Sequence, residues 1–211
     1  MSSQFIHPTA QVHPSAVIVP DNTIVGQNSQ VGPEVSTGVN VTIGSDTKIY
    51  GRVHIGHGVK IGSGVTMVGP LEIGPNVKIA DRAIIGVTIA PDSCLLQASI
   101  LVGAHIGAGA QVYGRLEVGA YACLQAGACL QGDLPHHGLA GGNPAALIDF
   151  ICGDCGLPYK VSLALTDIFI VHCPACHSEY RISRDTYDRC RRFLLPNKQP
   201  GEVVPAWWQP T

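Results

Sequence analysis

Four cysteines near the end of this chain fall into a pattern that can bind a metal ion. Cys152 and Cys155 form one C-x2-C pair, Cys173 and Cys176 form a second, and 17 residues lie between the pairs. Four thiolates at this spacing are typical of a structural zinc site, which can fold a segment of about 35 residues that has no core of its own. The segment between the pairs has the apolar, β-branched content of a hairpin. We therefore predict a zinc ribbon at residues 150–182.

Other chemistry is conceivable for the same cysteines. Two disulfides would require an oxidising compartment, and the start of the chain shows no secretion signal. A redox C-x-x-C motif usually occurs singly, in a βαβ context. His172 or His177 could replace one cysteine as a zinc ligand, but four cysteines are the simpler set.

The histidines are the candidate general bases, because an imidazole titrates near neutral pH. His105 is the first choice, since it follows an irregular segment and precedes a regular one. His57 is the second choice, and both His54 and His57 are expected at corners of a repeat, pointing outward. Each of these histidines is also compatible with a plain surface position.

The elements that must position these residues repeat with a period of six. Counted from Val31, the first residue of each hexad is usually a large aliphatic one, the fifth is a smaller apolar one, and glycine often follows the first. The other positions suit a bend, so each hexad predicts a short strand and a corner. Stacked coils of this kind pair as parallel strands. We predict a β-helix of about seven three-sided coils between Ile6 and Pro135.

The repeat is broken once, within residues 86–99. From Ile85 to Ile106 the chain takes 21 residues, which is three hexads plus three. Extra residues leave a solenoid as a loop or a bulge, and such insertions often carry function. The segment is either part of an acceptor site next to His105 or a structurally neutral bulge.

The two ends of the repeat resemble a known family. The opening IHPTAQVHPSAVI is similar to the first coil of the hexapeptide-repeat acyltransferases, and Asp133–His136 followed by Gly142–Ala145 is similar to the end of their β-helix. The resemblance covers residues 6–151 and is greatest for bacterial nucleotide-sugar N-acyltransferases, some of which carry a small cysteine tail. It implies a left-handed β-helix, although parallel crossovers are normally right-handed.

The resemblance also implies an activity. It would be transfer of an acyl group from acetyl-CoA or another acyl-CoA to an amino or hydroxyl group of a sugar or nucleotide sugar, at sites between the subunits of a homotrimer. A groove lined by small residues would admit the pantetheine arm, and backbone N–H groups would meet the thioester oxygen. The residues expected to bind the cofactor are Gly107, Gly109, Gly127, Gly142, Asn143 and Pro144.

One departure from the family keeps other functions open. The related enzymes carry a longer loop with an Asn-Asp or His-Pro pair where this chain reads TIAPDSCL. A non-catalytic trimeric scaffold is therefore an alternative. A second is a γ-carbonic-anhydrase-like zinc enzyme, which would need three histidines between subunits; Gly62 stands where the partner of His57 would be needed.

Composition sets the remaining expectations. Apolar residues are 45% and charged residues 13%, which is typical of a folded chain, and the net charge of −2 gives no general attraction to nucleic acid or anionic membranes. No stretch approaches the roughly 20 apolar residues of a membrane span. We expect a cytoplasmic, all-β protein: a left-handed β-helix at residues 1–149, the zinc ribbon at 150–182, and a short helix with a proline-rich tail at 183–211.

Overall fold

A computed structural model describes residues 5–86, 98–157, 159–164 and 168–184 of the chain. The first part is a parallel solenoid of about seven coils, in which the chain passes through three sheets in turn. The predicted β-helix is therefore confirmed; its left hand stays a prediction. The helix and the proline-rich tail predicted at 183–211 lie outside the described residues, which end at residue 184.

The strands, numbered in chain order, build four sheets. The first sheet contains β1 (Phe5–Ile6), β3 (Ile24–Val25), β6 (Thr42–Ile43), β9 (Lys60–Ile61), β12 (Lys78–Ile79), β15 (His105–Ile106), β18 (Cys123–Leu124), β20 (Gly138–Gly141) and β21 (Ala146–Phe150). The second contains β2 (Gln11–Val12), β4 (Gln30–Val31), β7 (Lys48–Tyr50), β10 (Thr66–Val68), β13 (Ile84–Gly86), β16 (Gln111–Tyr113) and β19 (Cys129–Leu130). The third contains β5 (Val35–Thr37), β8 (Val53–Ile55), β11 (Leu71–Ile73), β14 (Ala98–Ile100) and β17 (Glu117–Val118). The fourth contains β22 (Lys160–Ala164), β23 (Ile168–His172) and β24 (Glu179–Ser183).

The hexad positions fill the interior of the solenoid as the sequence predicts. The first-position residues Ile43, Ile61 and Ile79 and the fifth-position residues Val59 and Val77 are all at most 2% exposed. The first and fifth positions of one hexad are four residues apart, but they belong to two different strands. Each strand instead joins the fifth position of one hexad to the first of the next, so its two inward residues flank a single outward residue, the sixth. That sixth position is where a strand presents its side chain to solvent.

The sixth positions form three outward columns, one on each side of the solenoid. We call the outer surfaces of the first, second and third sheets face 1, face 2 and face 3. The column on face 1 runs through Phe5, Ile24, Thr42, Lys60, Lys78, His105 and Cys123. The column on face 2 runs through Gln11, Gln30, Lys48, Thr66, Ile84 and Gln111. The column on face 3 runs through Val17, Ser36, His54, Glu72, Ser99 and Glu117.

The interruption of the repeat lies at the corner between face 2 and face 3. Thr66 pairs with Ile84, 18 positions on, whereas Ile84 pairs with Gln111, 27 positions on. The coil therefore holds nine extra residues, which fall in the sequence between the end of β13 and the start of β14. Asp92 and Cys94, which fall in this segment, lie outside the described residues.

The solenoid ends in an antiparallel return and the ribbon follows it. β20 pairs with β18 in parallel and with β21 in antiparallel, so the chain reverses at Gly142–Ala145. β22 and β23 form the predicted hairpin, and β24 extends it to three antiparallel strands. Within the described ranges, no helix is long and apolar enough to cross a bilayer.

Candidate active site and metal centre

The four cysteines converge on one point between the two turns of the ribbon. The Sγ atoms of Cys152, Cys155, Cys173 and Cys176 all lie within 4.8 Å of one another. The Sγ atoms of Cys155 and Cys173 are 3.3 Å apart, well beyond the roughly 2.05 Å of a disulfide bond. Four sulfurs in tetrahedral contact with zinc would be about 3.8 Å apart at a bond length of about 2.3 Å. The cluster therefore fits a tetrahedral thiolate-bound metal.

The two cysteine turns are built alike. The Cys152 N–H donates to the Leu157 carbonyl and the Cys173 N–H donates to the Ser178 carbonyl. In both turns the residue after the second cysteine has a positive φ, +71° for Gly156 and 61° for His177, and donates its N–H to the carbonyl of the first cysteine. This repeated backbone aims both cysteines of each turn at the same centre.

Hydrogen bonds favour the thiolate form of Cys152. Although desolvation raises it, the pKa of Cys152 is lowered to about 6, because the Ser178 hydroxyl and the backbone N–H groups of Cys155 and Asp154 stabilise its charge. The Ser178 Oγ lies 3.1 Å from the Cys152 Sγ and 3.2 Å from the Cys176 Sγ. Ser178 is thus a partner of the cluster that the sequence did not identify.

An aromatic stack joins the ribbon to the last coils of the solenoid. The Tyr121 and His137 rings are stacked, with centroids 5.4 Å apart and planes 20° from parallel. The centroid of the His137 ring also lies 4.3 Å from that of Tyr180 in β24, and 5.6 Å from that of Tyr159, whose plane is nearly perpendicular to it. The His137 Nδ1–H also donates a hydrogen bond to the Ile151 carbonyl oxygen, which lies 3.2 Å away. The ribbon therefore rests directly on the end of the solenoid.

The sequence held a signal for this contact that was missed. The corner between face 3 and face 1 requires a positive φ in every coil, and the early coils supply it with residues suited to that conformation. These residues are Asn22, Asn40, Gly58, Asn76 and Gly103. The next two coils instead place Tyr121 and His137 there, at φ of 57° and 59°. A positive φ is costly for bulky side chains, so tyrosine and histidine at these two corners indicate that their rings are needed there, where they contact the ribbon.

His105 lies on face 1 between a lysine and a cysteine. Its backbone pairs with Lys78 in the preceding coil and with Cys123 in the following one. Its Nδ1 is 3.9 Å from the Cys123 Sγ. Burial lowers the pKa of His105, and the positive charge of Lys78 lowers it further, so its imidazole is neutral at pH 7. Burial also raises the pKa of Cys123, which is therefore a thiol rather than a thiolate nucleophile.

The predicted cofactor residues line one edge of the solenoid, the corner between face 1 and face 2. Gly107 follows His105 by two residues, and the Gly127 N–H donates to the Ala108 carbonyl of the coil before. The Gly142–Ala145 turn comes next along the same edge, where the Cys129 N–H donates to the Gly142 carbonyl. Residues from three separate hexads are thus brought into one line beside His105.

The glycines of this edge differ in what they do. A Cβ on Gly107 would lie 2.5 Å from the backbone nitrogen of Ala126, so coil stacking alone requires glycine there. Gly109 and Gly127 have φ of +64° and +70°, and a Cβ on either would meet nothing within 4 Å. Open space at these two glycines leaves room for close approach by a ligand.

The two other histidines considered from the sequence, His57 and His54, do not lie beside His105. His57 lies at the corner after β8, two coils before His105, which is about 10 Å along the axis at roughly 4.8 Å per coil. His54 does not lie at a corner as expected; it is the outward residue in the middle of β8, and its Nδ1 lies 2.6 Å from the Ser36 hydroxyl. The interruption falls between β13 on face 2 and β14 on face 3, and its residues lie outside the described part of the chain, so its expected place next to His105 stays a prediction.

Solved structures similar to this chain include several acyltransferases. The acetyltransferase domain of PglB from Neisseria gonorrhoeae is 23% identical over 68% of this chain, with a TM-score of 0.42, and the match spans 56% of the Neisseria chain. AntD, an N-acyltransferase from Bacillus cereus seen in complex with dTDP-4-amino-4,6-dideoxyglucose and Coenzyme A in one variant, is 16% identical over 71% of this chain and 91% of its own, with a TM-score of 0.43. A serine acetyltransferase in complex with cysteine is 20% identical over 67% of this chain and 41% of its own, with a TM-score of 0.41.

No protein-family model and no curated protein sequence matches the chain. The fold therefore stands on the strand pairing of the chain itself. The six-residue repeat and the parallel coils make this chain a hexapeptide-repeat β-solenoid, which is followed in the sequence by a four-cysteine ribbon.

Proposed function

We propose that the protein is an acyl-CoA-dependent acyltransferase that acts as a homotrimer. The observation that carries the proposal is the alignment of His105 with the open glycines and the Gly142–Ala145 turn along one edge. The acyl acceptor would be an amino or hydroxyl group of a sugar or nucleotide sugar, as the resemblance of residues 6–151 implies.

His105 would act as the general base. The acceptor amine attacks the thioester carbonyl carbon, His105 takes the proton that the amine loses, and the C–S bond breaks as CoA leaves as a thiolate. The proton then passes from His105 to that thiolate, which restores the neutral imidazole. A lowered pKa suits this role, because the base must be unprotonated at neutral pH before the attack.

The edge would hold the acyl donor. The pantetheine arm would lie against the open positions of Gly109 and Gly127, with the Asn143-Pro144 turn at its end. Backbone N–H groups of the corner would donate to the thioester oxygen as it becomes negative.

The ribbon would hold one zinc ion on Cys152, Cys155, Cys173 and Cys176. The ion would supply folding energy to the ribbon rather than chemistry, because all four ligand positions are filled by thiolates.

Calorimetric titration with CoA and acetyl-CoA tests the transferase. The wild type should bind both, and release of CoA thiol should be measurable with amino sugars and their nucleotide derivatives as acceptors. His105→Ala should lower turnover by about 10²–10⁴-fold and leave CoA affinity nearly unchanged. His57→Ala is the matched control and should retain turnover.

The outcomes separate the candidates. If CoA binds and His105→Ala is fully active, the base is another residue while the transferase stands. If neither CoA nor acetyl-CoA binds at millimolar concentration, the transferase is rejected and a trimeric scaffold that presents its ribbons to a partner takes its place.

A further inference from the structure

Face 2 carries a small cavity at its first three coils. Strands β2, β4 and β7 form it, and its lining includes Gln11, His13, Gln30, Gly32 and Tyr50. Its volume is about 260 Å³, a little below the roughly 300–1,000 Å³ of sites for drug-sized molecules. The cavity therefore has the size for one small ring-shaped ligand.

The Tyr50 ring has a fixed place in this cavity. His13, Gly32 and Tyr50 occupy the same outward position in three successive coils, because Val12 pairs with Val31 and Val31 pairs with Ile49. Gly32 has no side chain, and the Cδ1 atom of Tyr50 lies 3.4 Å from the point where a Cβ would stand. The missing side chain thus gives the Tyr50 ring room against the backbone of the coil before it, and the ring is still 38% exposed.

Two amides flank the ring. Gln11 and Gln30 are direct partners across β2 and β4, on the same outer surface. The Tyr50 hydroxyl donates a hydrogen bond to the Gln30 Oε1, which holds the ring and the amide together. This contact orients the Gln30 amide so that its NH₂ group is turned away from the ring's hydroxyl.

Polar atoms around the ring are left for a ligand. The Gln11 amide and the Gln30 Nε2 make no hydrogen bond to any residue that the structure describes. His13 uses its Nδ1 for the Ser15 hydroxyl and the Ser15 N–H, at 2.8 and 3.1 Å, which leaves its Nε2. Three separate side chains therefore present donors and acceptors to one small volume.

The chemistry of the lining selects a neutral ligand rich in hydroxyl groups. The lining contains no Asp, Glu, Lys or Arg, and Lys48, the one charged residue of the three strands, lies beside the cavity rather than in it. A hydroxyl both donates and accepts, as the amide groups of glutamine do. The C–H groups of a sugar ring carry partial positive charge and suit the negative face of an aromatic ring.

We propose that this cavity binds a neutral sugar residue, with the sugar ring on Tyr50 and its hydroxyl groups bonded by Gln11, Gln30 and His13. The site is independent of the proposed transferase. It lies on another face than His105, and β6, in the coil of β7, is three coils from β15, about 14 Å along the axis at roughly 4.8 Å per coil. A sugar bound there is out of reach of His105, so the site holds the protein on a glycan rather than reacting with it.

Saturation-transfer NMR on the full zinc-loaded chain tests the site. The probes are glucose, N-acetylglucosamine and their β-1,4-linked trimers, with thymidine and adenosine as aromatic ligands of another class. At least one sugar probe should bind with a dissociation constant of about 1 mM, as expected for a small ligand on an open surface. Neither nucleoside should bind at this site.

Variants locate the binding. Tyr50→Ala should weaken the sugar probe about tenfold or more, whereas Tyr50→Phe, which keeps the ring, should stay within about threefold of the wild type. Gln11→Ala should weaken it by about three- to tenfold, as expected for the loss of a neutral hydrogen bond. The matched control is Tyr113→Ala, which removes a tyrosine from the corresponding position of β16 on the same face and should leave the affinity unchanged. Circular dichroism confirms that each variant has folded.

The outcomes separate this site from the acceptor site of the proposed function. His105→Ala should bind the sugar probe as the wild type does, and a loss of affinity in that variant places the sugar at the acceptor site and overturns this inference while the transferase remains. No binding of any sugar probe at 20 mM, or wild-type affinity in Tyr50→Ala, also overturns it. Thymidine or adenosine binding that is lost in Tyr50→Ala would assign the cavity to a nucleoside and overturn the ligand class.

Discussion

The imidazole of His137 and the ring of Tyr180 meet with their centroids 4.3 Å apart and their planes tilted by 55°. His137 belongs to the last coil of the solenoid and Tyr180 to the third strand of the ribbon. Tyr121, at the preceding coil, stacks on the same His137 ring with centroids 5.4 Å apart, so His137 contacts both another solenoid ring and the ribbon. The ribbon and the last coils of the solenoid are therefore joined through a packed aromatic contact.

The pH dependence of stability should report this contact. Burial lowers the pKa of His137 and the neighbouring His136 lowers it further, while the hydrogen bond to Ile151 and the charge of Asp154 partly oppose them. Below pH 6.5 the unfolded chain takes up a proton that the folded chain resists, so stability is lost as the pH falls through this range.

Melting curves from pH 8 to pH 5 measure the effect. The wild type should lose more stability on acidification than His137→Asn, which keeps a residue suited to the positive φ but removes the imidazole. Acid release of a bound zinc ion would contribute to the loss in both proteins, so the difference between them reports His137. Parallel loss of stability in the two proteins would show that His137 is not the titrating group.

The metal centre predicts a fixed metal content. Purified protein should contain about one zinc per chain, and Cys173→Ser should lose it because three thiolates bind the ion far less tightly than four. Cys123→Ser, outside the cluster, is the control and should keep its zinc. Elemental analysis gives the ratio. A zinc-free wild type with two disulfides in its mass spectrum would reject the site.

The two cysteine turns predict opposite effects of glycine. His177 adopts a φ of 61° that costs a side-chain residue about 1 kcal/mol, so His177→Gly should raise stability by up to that amount. Gly156→Ala should lower stability by about the same amount, although its new methyl group meets no atom within 4 Å. Chemical unfolding of the zinc-loaded protein measures both. Changes of the same sign in the two variants would contradict a backbone origin.

Two glycines at the corner between face 1 and face 2, Gly107 and Gly109, should lower stability by different amounts when each is changed to alanine. Gly107→Ala places a Cβ 2.5 Å from a backbone nitrogen of the next coil, so the coils must separate and stability should fall by more than 2 kcal/mol. Gly109→Ala has open space and should cost only about 1 kcal/mol for its positive φ. Thermal unfolding compares them. Equal losses would mean that the coil spacing adapts to the added methyl group.

The sequence alone determined the solenoid and the four-cysteine cluster. Large aliphatic residues such as Ile43 recur at the first position of each hexad, and smaller ones such as Val59 recur at the fifth. In a coil of three hexads this period turns both positions toward the interior, where they are buried. The cysteine spacing is equally local, because each C-x2-C turn closes on itself through backbone hydrogen bonds and needs only a hairpin to meet the other. Short-range rules of this kind act before the chain is folded, so they can be recognised in the sequence.

Tertiary structure decided which residues became neighbours. The 18-residue pairing of coils places Lys78, His105 and Cys123 side by side, and the nine-residue interruption before His105 hides this from any fixed count along the chain. It also set Tyr121, His137 and Tyr180 against one another. Such contacts depend on how many residues each coil holds and on where the chain reverses. Coil length and reversal are properties of the whole stacked backbone, so no single segment of the sequence reveals them.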